Sequence, residues 1–259
     1  MFDPLKPVSP GRRTALGILF FVVFFAAWGA VTFGGIVPPL FLADPLKAAK
    51  SGIELFTKYG FIGDVGITIW RVVGGFLIAA VFAVPLGILM GAFKSIEAFF
   101  EPFISFARYL PASAFIPLLI LWAGVGEAQK LSVIVIGSFF QIVLMVAVIV
   151  GGSRIDLVEA SKTLGAKRTG IVLRVLLPGA APQIAETLRL VLGWAWTYVI
   201  VAELIGAQSG IGHMIMDSQR LLDTGQMIFG IFVIGLIGLV SDFLFKQANE
   251  RLYPWYFIK

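Results

Sequence analysis

Six long apolar stretches alternate with short charged or proline-rich segments along this chain of 259 residues. A helix needs about 20 predominantly apolar residues to cross the hydrocarbon core of a bilayer. The third stretch is interrupted by Pro111 and Pro117, residues that break or bend helices. The pattern predicts six membrane-spanning helices, over Leu16–Phe33, Val72–Phe93, Tyr109–Val125, Leu131–Gly152, Ile184–Ile205 and Thr224–Leu244.

Composition agrees with a membrane protein. Hydrophobic residues make up 59% of the chain and charged residues 14%, whereas soluble domains carry about 25% charged residues. One domain of this length cannot bury so much apolar surface, so lipid must cover it. No strand-type alternation is long enough for a barrel. The predicted fold class is therefore all-α: a polytopic transmembrane helix bundle with about six spans.

Two domains are predicted. Residues 1–60 hold the first span and an external elbow, and residues 61–259 form the main transmembrane domain. Arg12 and Arg13 precede the first apolar run, as basic residues do in a signal peptide. Because no charge occurs between Thr14 and Ala43 and no clean cleavage site follows, we expect this run to be retained as a span.

Lysine and arginine indicate the orientation, because cytoplasmic loops carry an excess of both. With the two termini inside, fourteen of the 20 basic residues fall in inner segments, among them Lys6, Arg108 and Lys259. The remaining six fall in outer segments, among them Arg71 and Lys130. The sequence therefore predicts a cytoplasmic N-terminus and a cytoplasmic C-terminus.

The residue inventory argues against most catalytic chemistry. The chain has no cysteine and a single histidine, His213, so disulfide frameworks, thiol nucleophiles and His-cluster metal sites are excluded. It also lacks the G-x-x-x-x-G-K-[ST] pattern of a phosphate-binding loop. We expect no catalytic residue, no metal site, no nucleotide and no other cofactor on this chain. The net charge of +5 reflects basic loops rather than nucleic-acid binding.

One charged segment, Glu159–Pro178, lies between the fourth and fifth apolar stretches and on the predicted cytoplasmic side. Leu157, Ala160 and Leu164 have the spacing of one helix face. Gly165 then stands where a left-handed residue ends a helix. An apolar stripe from Ile171 to Leu176 predicts a second helix.

Pro178 and Pro182 are predicted to end that second helix before the next span begins. From the residues alone, an ordinary basic loop held by anionic lipid headgroups is an equal alternative.

The spacing resembles the cytoplasmic coupling loop of permease subunits of bacterial ATP-binding cassette (ABC) importers. Their pattern is E-A-A, three residues, G, nine residues, then I-x-L-P. Here Glu159 begins E-A-S, Gly165 follows after three residues, and V-L-L-P ends at Pro178. Serine replaces the second alanine and valine replaces isoleucine, whereas the spacing is fully kept.

The flanking stretches extend the resemblance over roughly residues 60–250. "TIWRVVGGFLIAAVFAVPLGILMG", "RYLPASAFIPLLILWAGVGEAQK" and "LRLVLGWAWTYVIVAEL" are similar to the nitrate, sulfonate, taurine and bicarbonate branch of these permeases. The resemblance implies a type I importer permease of the bacterial inner membrane, working as a homodimer. It also implies two ATP-binding subunits, which carry ATP and Mg²⁺, and an external solute-binding protein.

The resemblance places the contact with the ATP-binding subunit in the coupling loop, near residues 155–178. The residues implied are Glu159, Ala160, Ser161, Leu164, Gly165, Lys167, Val175, Leu177 and Pro178.

Candidates for the translocation path come from polar and aromatic residues within the spans. Polar groups at membrane depth favour a cavity over lipid, which selects Ser138 and Gln141 in span four. In span five, Trp194, Trp196 and Tyr198 form an aromatic packing cluster or contact the partner permease; alternatively, one of them lines the path with Thr197. Glu203, near the outer end of the same span, caps the path, contacts a docking protein or forms a structural ion pair.

Other ionisable residues are given structural roles. Arg189 lies fourteen residues from Glu203, about 20 Å along a helix, so the two cannot pair. Asp242 is expected to be an interfacial or inter-helix partner. Glu127 and Lys130 are expected in a solvated outer turn.

Two other classes of function compete with the importer permease. A stand-alone secondary transporter or channel would require coupling carboxylates in mid-span, and the acids here stand near span ends. A membrane enzyme lacks support from the residue inventory. The cargo implied by the resemblance is a small solute, of the anionic nitrate, sulfonate, taurine or bicarbonate type.

Overall fold

The computed structural model of the chain describes residues 8–257, so Lys6 and Lys259 of the orientation count lie outside the described residues. The described part is helical, as predicted, and includes a 3₁₀ turn at Ala112–Phe115 and a π turn at Val172–Leu176. The helices are α1 Pro10–Phe33, α2 Pro45–Lys58, α3 Phe61–Ala92, α4 Lys94–Ala107, α5 Ile116–Ala123, α6 Glu127–Gly151, α7 Ile155–Thr163, α8 Arg168–Ile171, α9 Leu177–Leu204, α10 Ile211–Arg220, α11 Thr224–Leu252 and α12 Pro254–Phe257.

The structure confirms about six spans. Five helical stretches of the described residues are long and apolar enough to cross a membrane: α1, α3, α6, the stretch Arg168–Leu204, and α11. Lys94–Ala107 and Ala112–Ala123, which meet at an angle of 83°, add a sixth span when the bent pair is counted as one broken helix. The prediction had started this span at Tyr109, but the structure places Tyr109 at the break. Pro111 explains the break, because the residue before a proline avoids the helical conformation.

Helix packing divides the described residues into two units. The first contains residues 8–60 and Ile215–Ile231, and the second contains Phe61–Met214 and residues 232–257. In the first unit, the predicted amphipathic elbow is present as α2. The Asp44 carboxylate caps it by accepting a hydrogen bond from the Lys47 N–H at 2.8 Å, and the Trp28 indole N–H donates to the Ala43 carbonyl at 3.0 Å.

The second unit is built on α3, α6 and α9. Along one face of α3, every fourth residue is small: Gly75, Ala79, Ala83, Gly87 and Gly91. A Cβ added at Gly87 would lie 2.7 Å from the Val143 carbonyl oxygen, and one at Gly91 would lie 2.6 Å from the Ala147 oxygen. Small residues at this spacing let membrane helices approach backbone to backbone. The α3–α6 contact therefore depends on them.

The direction of these helices fixes the two ends of the second unit. Gly75 meets Ile134 and Gly91 meets Val150, so α3 and α6 run parallel. Glu203 near the end of α9 bonds to Thr68 near the start of α3, so α9 runs antiparallel to both. One end of the unit therefore holds the starts of α3 and α6, and the other holds the α6–α9 connection with α7.

The helix does not end at Pro178 or Pro182, contrary to the prediction. It runs from Arg168 through both prolines to Leu204. Pro178 has no N–H to donate to the Arg174 carbonyl, and its ring crowds that carbonyl. The π turn just before Pro178, with its wider i→i+5 spacing, accommodates this crowding without a break.

Candidate functional site

The connection between α6 and α9 folds as a helix, a glycine turn and a second helix, as the sequence predicts. Gly165 has φ of +81°, the left-handed conformation expected at a helix end. The Gly165 N–H donates to the Lys162 carbonyl and the Ala166 N–H donates to the Ser161 carbonyl, both at 2.9 Å. This pair of bonds is the Schellman arrangement, which satisfies the last carbonyls of a helix. The turn is therefore defined by local bonding.

The segment α7–α8, Ile155–Ile171, presents both apolar and basic groups on its surface. No residue of α7 is buried, and Leu164 is 87% exposed, with Ile155 at 72%. The basic side chains of Lys162, Lys167 and Arg168 are exposed around them. A surface that mixes exposed leucine with charge, outside the spans, is typical of a protein contact site.

A recess of about 540 Å³ lies within this segment and the following turn. Five of the predicted coupling residues line it: Ser161, Leu164, Gly165, Lys167 and Val175. Glu159 and Ala160 are exposed on α7 beside it, Leu177 is partly buried, and Pro178 is exposed on the continuous helix. The structure thus brings the predicted coupling residues into one region. Their coupling role stays a prediction.

Local bonds stiffen α7. The Ser161 hydroxyl donates to the Leu157 carbonyl at 2.7 Å. At the start of the helix, the Arg154 guanidinium bonds to the Asp156 carboxylate, and this hydrogen bond holds the pKa of the carboxyl below its ordinary value. Both side chains are exposed, so the pair contributes little to stability.

A buried polar cluster occupies the opposite end of the second unit. Arg71 Nη1 lies 2.8 Å from Glu203 Oε1, and Arg71 binds both carboxylate oxygens of Glu127 through Nε and Nη2. The Thr68 hydroxyl donates to Glu203 at 2.9 Å. This is the structural ion pair considered for Glu203, and its role in the path stays a prediction.

The same cluster anchors the segment between α9 and α10. The Ser209 carbonyl accepts from Arg71 Nη1 at 2.7 Å, and the Gly212 N–H donates to Glu203 Oε2 at 2.8 Å. A Cβ at Gly210, where φ is +112°, would lie 2.5 Å from the Glu203 carboxylate. Glycine is therefore required where the chain passes over this carboxylate.

Two sequence-based assignments are wrong at this cluster. Arg71 was placed in an outer segment, yet its side chain is 1% exposed within α3. Lys130 was placed in a solvated turn, yet it is 2% exposed within α6. Glu127, placed in the same turn, is the first residue of α6, and its side chain stays 48% exposed while it binds Arg71. The sequence did not reveal the burial of Arg71 because its partners Glu127 and Glu203 belong to other helices. The available signal in the sequence was Arg71 itself, a single charged residue inside an otherwise apolar run.

Two expectations, one about Arg189 and one about Asp242, are confirmed. Arg189 pairs with Glu186 at 3.0 Å and with Asp242 at 3.4 Å, not with Glu203. Asp242 is therefore an inter-helix partner of α9. Trp196 is buried, and its indole N–H donates to the Ser241 hydroxyl at 3.1 Å.

Two of the predicted path residues share a cavity of about 160 Å³. Gln141 and Tyr198 line it together with the break between α4 and α5. Ser138 is fully buried, and its hydroxyl has no hydrogen-bond partner among residues 8–257. Trp194 is 43% exposed, and the exposed Thr197 hydroxyl donates to the Trp194 carbonyl at 2.7 Å. The path role of each residue stays a prediction.

Arg108 also lines this cavity, although the orientation count had placed it in an inner loop. The cavity reaches Ile136, Gly137 and Gln141, which stand in the middle of α6. Arg108 is therefore level with the centre of a span. The broken helix brings it there, and hydropathy alone could not show this.

Comparison with known families identifies the protein's class. A family profile described as "Binding-protein-dependent transport system inner membrane component" matches residues 83–254, well over half of the chain. The chain belongs to this family.

Named members of the family match along nearly the full chain. A probable ABC transporter permease protein of Brucella melitensis is 35% identical over 248 residues, 94% of this chain and 99% of its own length. The putative aliphatic sulfonates transport permease SsuC of Bacillus subtilis is 32% identical over 95% of this chain and 91% of its own length. The taurine transport system permease TauC of Escherichia coli is 30% identical over 95% of this chain and 91% of its own length.

The fold matches that of a solved permease. The inward-facing MetNI methionine ABC transporter superposes with a TM-score of 0.58 over 73% of this chain and 96% of its own, at 19% identity. The predicted family and fold class are thus confirmed. The chain is a multi-pass inner-membrane ABC permease of the type I importer family, with sulfonate and taurine permeases among its relatives.

Proposed function

We propose that this permease forms the membrane pathway of an importer for a small anion, and that α7–α8 couples it to separate ATP-binding subunits. The observation that carries the coupling proposal is the exposed surface around Leu164. This side chain is 87% exposed, outside every candidate span. Burying apolar area against a partner is favourable by about 25 cal/mol per Å², so a docked subunit would stabilise this surface.

The geometry supports transmission of movement from that surface into the membrane. The helix that begins at Arg168, directly after the glycine turn, continues through Pro178 to Leu204. Its α9 part packs on both α3 and α6. A displacement of the docking surface would therefore tilt a helix at the centre of the second unit, rather than be absorbed by a loop.

The other subunits follow from the family and from what this sequence lacks. The chain carries no phosphate-binding loop, so ATP and Mg²⁺ belong to two partner subunits, and this chain has no catalytic residue. A second copy of the permease completes the pathway as a homodimer. A solute-binding protein delivers the cargo on the outer side, and both termini of this chain are cytoplasmic.

The anionic cargo is supported by two relatives. The permeases named for aliphatic sulfonates and for taurine match over 95% of this chain. Both names denote sulfonates, which carry an anionic group with three oxygens on a tetrahedral sulfur.

Purification tests whether ATP hydrolysis resides on a separate subunit. The chain alone, in detergent, should hydrolyse no ATP, and from native membranes it should co-purify with an ATP-binding subunit. Proteoliposomes holding that complex should take up taurine or nitrate only when ATP and the solute-binding protein are supplied. Uptake by the chain alone, driven by a proton or sodium gradient, would instead identify a secondary transporter.

A further inference from the structure

The cavity at the broken span has an unusual position for a polar site. It is lined by residues 107–112 at the break, by the middle of α6 and by Tyr198 of α9. Irregular backbone at membrane depth is tolerated where it lines a cavity or is buried in protein. In transporters, such discontinuous helices commonly form the substrate site. The location thus favours a ligand site.

Arg108 gives this cavity a positive charge. Among the described lining residues, Arg108 is the one cation and no acid is present, and no ion pair within residues 8–257 joins Arg108 to a carboxylate. Its Nη2 donates to the Tyr109 hydroxyl at 2.6 Å, and its guanidinium carbon lies 4.5 Å from the centre of the Tyr109 ring. The tyrosine holds the guanidinium in place but leaves its charge uncompensated.

One donor of Arg108 remains unused. Its Nε is buried and has no hydrogen-bond partner among residues 8–257. A buried donor left without a hydrogen bond is costly, and ionisable groups within a membrane mark functional sites by default. The Nε edge of a guanidinium binds trigonal oxyanions through two parallel hydrogen bonds. The unused donor therefore fits an anion.

Neutral groups complete the wall. Gln141 offers amide donors. Gly137 lets the Tyr198 ring close the cavity, because a Cβ at Gly137 would lie 2.6 Å from that ring. The space is small, which favours an anion of a few non-hydrogen atoms.

We propose that this cavity binds the anionic head of the transported solute during its passage, with Arg108 as the charge anchor. The ligand class is a small trigonal oxyanion or sulfonate group. This inference rests on the proposed function, since it assigns a binding step within the same pathway.

The test uses methanesulfonate as the probe and dimethyl sulfone as its uncharged counterpart. The intact chain, with the subunits that co-purify, is placed in lipid nanodiscs and titrated by calorimetry. Arg108→Gln removes the charge, and Arg251→Gln removes an exposed arginine at the end of α11 as the matched control. Loss of a charge-assisted bond predicts at least about tenfold weaker methanesulfonate binding in Arg108→Gln, no change in Arg251→Gln, and no binding of dimethyl sulfone.

A second variant tests the cavity itself. Gly137→Val displaces the Tyr198 ring and should weaken methanesulfonate more than the smaller nitrate. Circular dichroism and co-purification of the ATP-binding subunit confirm that each variant is folded. Equal methanesulfonate binding in the parent and in Arg108→Gln, or none in the parent, would overturn the proposal.

The outcomes separate the two proposals. If Arg108→Gln retains both anion binding and ATP-driven uptake, the cavity inference fails while the importer function stands. If Arg108→Gln loses anion binding but the parent recruits no ATP-binding subunit, the binding site stands and the coupling function fails.

Discussion

Arg71 of α3 and Glu203 of α9 form an ion pair of 2.8 Å in which both side chains are at most 1% exposed. The two residues stand 132 positions apart and join the start of one core helix to the end of another. Through Ser209 and Gly212, the pair also holds the α9–α10 connection. It is the main polar link at this end of the second unit.

Removing one member of this pair should destabilise the fold. Arg71→Met leaves Glu203 buried without its cation, and breaking a buried pair costs about 3–5 kcal/mol. The double variant Arg71→Met with Glu203→Leu should lose less than the two single variants combined, because neither member of the pair is left buried and unpaired. Glu127, the other partner of Arg71, is 48% exposed and can be hydrated. Thermal unfolding in detergent measures the loss of stability in each single variant and in the double variant.

Arg220→Met is the matched control. Arg220 is 72% exposed and pairs with Asp217 on the same helix, so its loss should cost at most about 1 kcal/mol. Strict additivity of the Arg71 and Glu203 variants would show that the pair is not energetically coupled.

Gly87 should tolerate no side chain at the α3–α6 contact. A Cβ there meets the Val143 carbonyl and Val146 at 2.7 Å, and overpacking costs about 1–3 kcal/mol. Gly87→Ala should therefore lower the unfolding temperature. Gly66→Ala, on the same helix with nothing within 4 Å, should be neutral or stabilising, since alanine favours helix by about 1 kcal/mol. An equal effect of both substitutions would contradict the packing described for α3.

The glycine turn should be essential for transport rather than for folding. A Cβ at Gly165 meets nothing within 4 Å, so the side chain of Gly165→Arg would extend from the protein surface without a clash. Its cost to the fold is mainly backbone strain at the positive φ. We expect ATP-driven uptake to be abolished in vesicles while membrane insertion stays normal. Glu159→Lys should act in the same direction through charge reversal.

Gly35→Arg controls for backbone strain. Gly35 has φ of +72° and is equally open, but it lies between α1 and α2, far along the chain from the docking surface. Its uptake should stay near the parent level. Normal uptake in Gly165→Arg would remove the coupling role from this turn.

Local features of this fold were readable in the sequence. The left-handed conformation of Gly165 follows from its place after an apolar helix face, and the capped α2 follows from Asp44 and Pro45. The length of the apolar stretches alone located the spans. Each of these depends on neighbours within a few positions, which a sequence displays directly.

Features that depend on distant partners were missed or misjudged. Arg71 was counted in an outer segment because its partners Glu127 and Glu203 belong to other helices. Pro178 was expected to end a helix because the π turn that accommodates it has no simple sequence signature. The four-residue spacing of Gly87 and Gly91 was present in the sequence, yet the carbonyls that require it belong to α6.

Position-specific cross-linking tests the docking surface most directly. The chain has no cysteine, so Leu164→Cys introduces a single site for a photoreactive maleimide. Leu121→Cys is the control: Leu121 is 78% exposed, but α5 leads into the start of α6, at the opposite end of the second unit. We predict that irradiated native membranes yield a cross-link from position 164 to an ATP-binding subunit, and none from position 121. If position 164 gives no such product, or if both positions give an equal yield, the proposal that α7–α8 binds the ATP-binding subunit is contradicted.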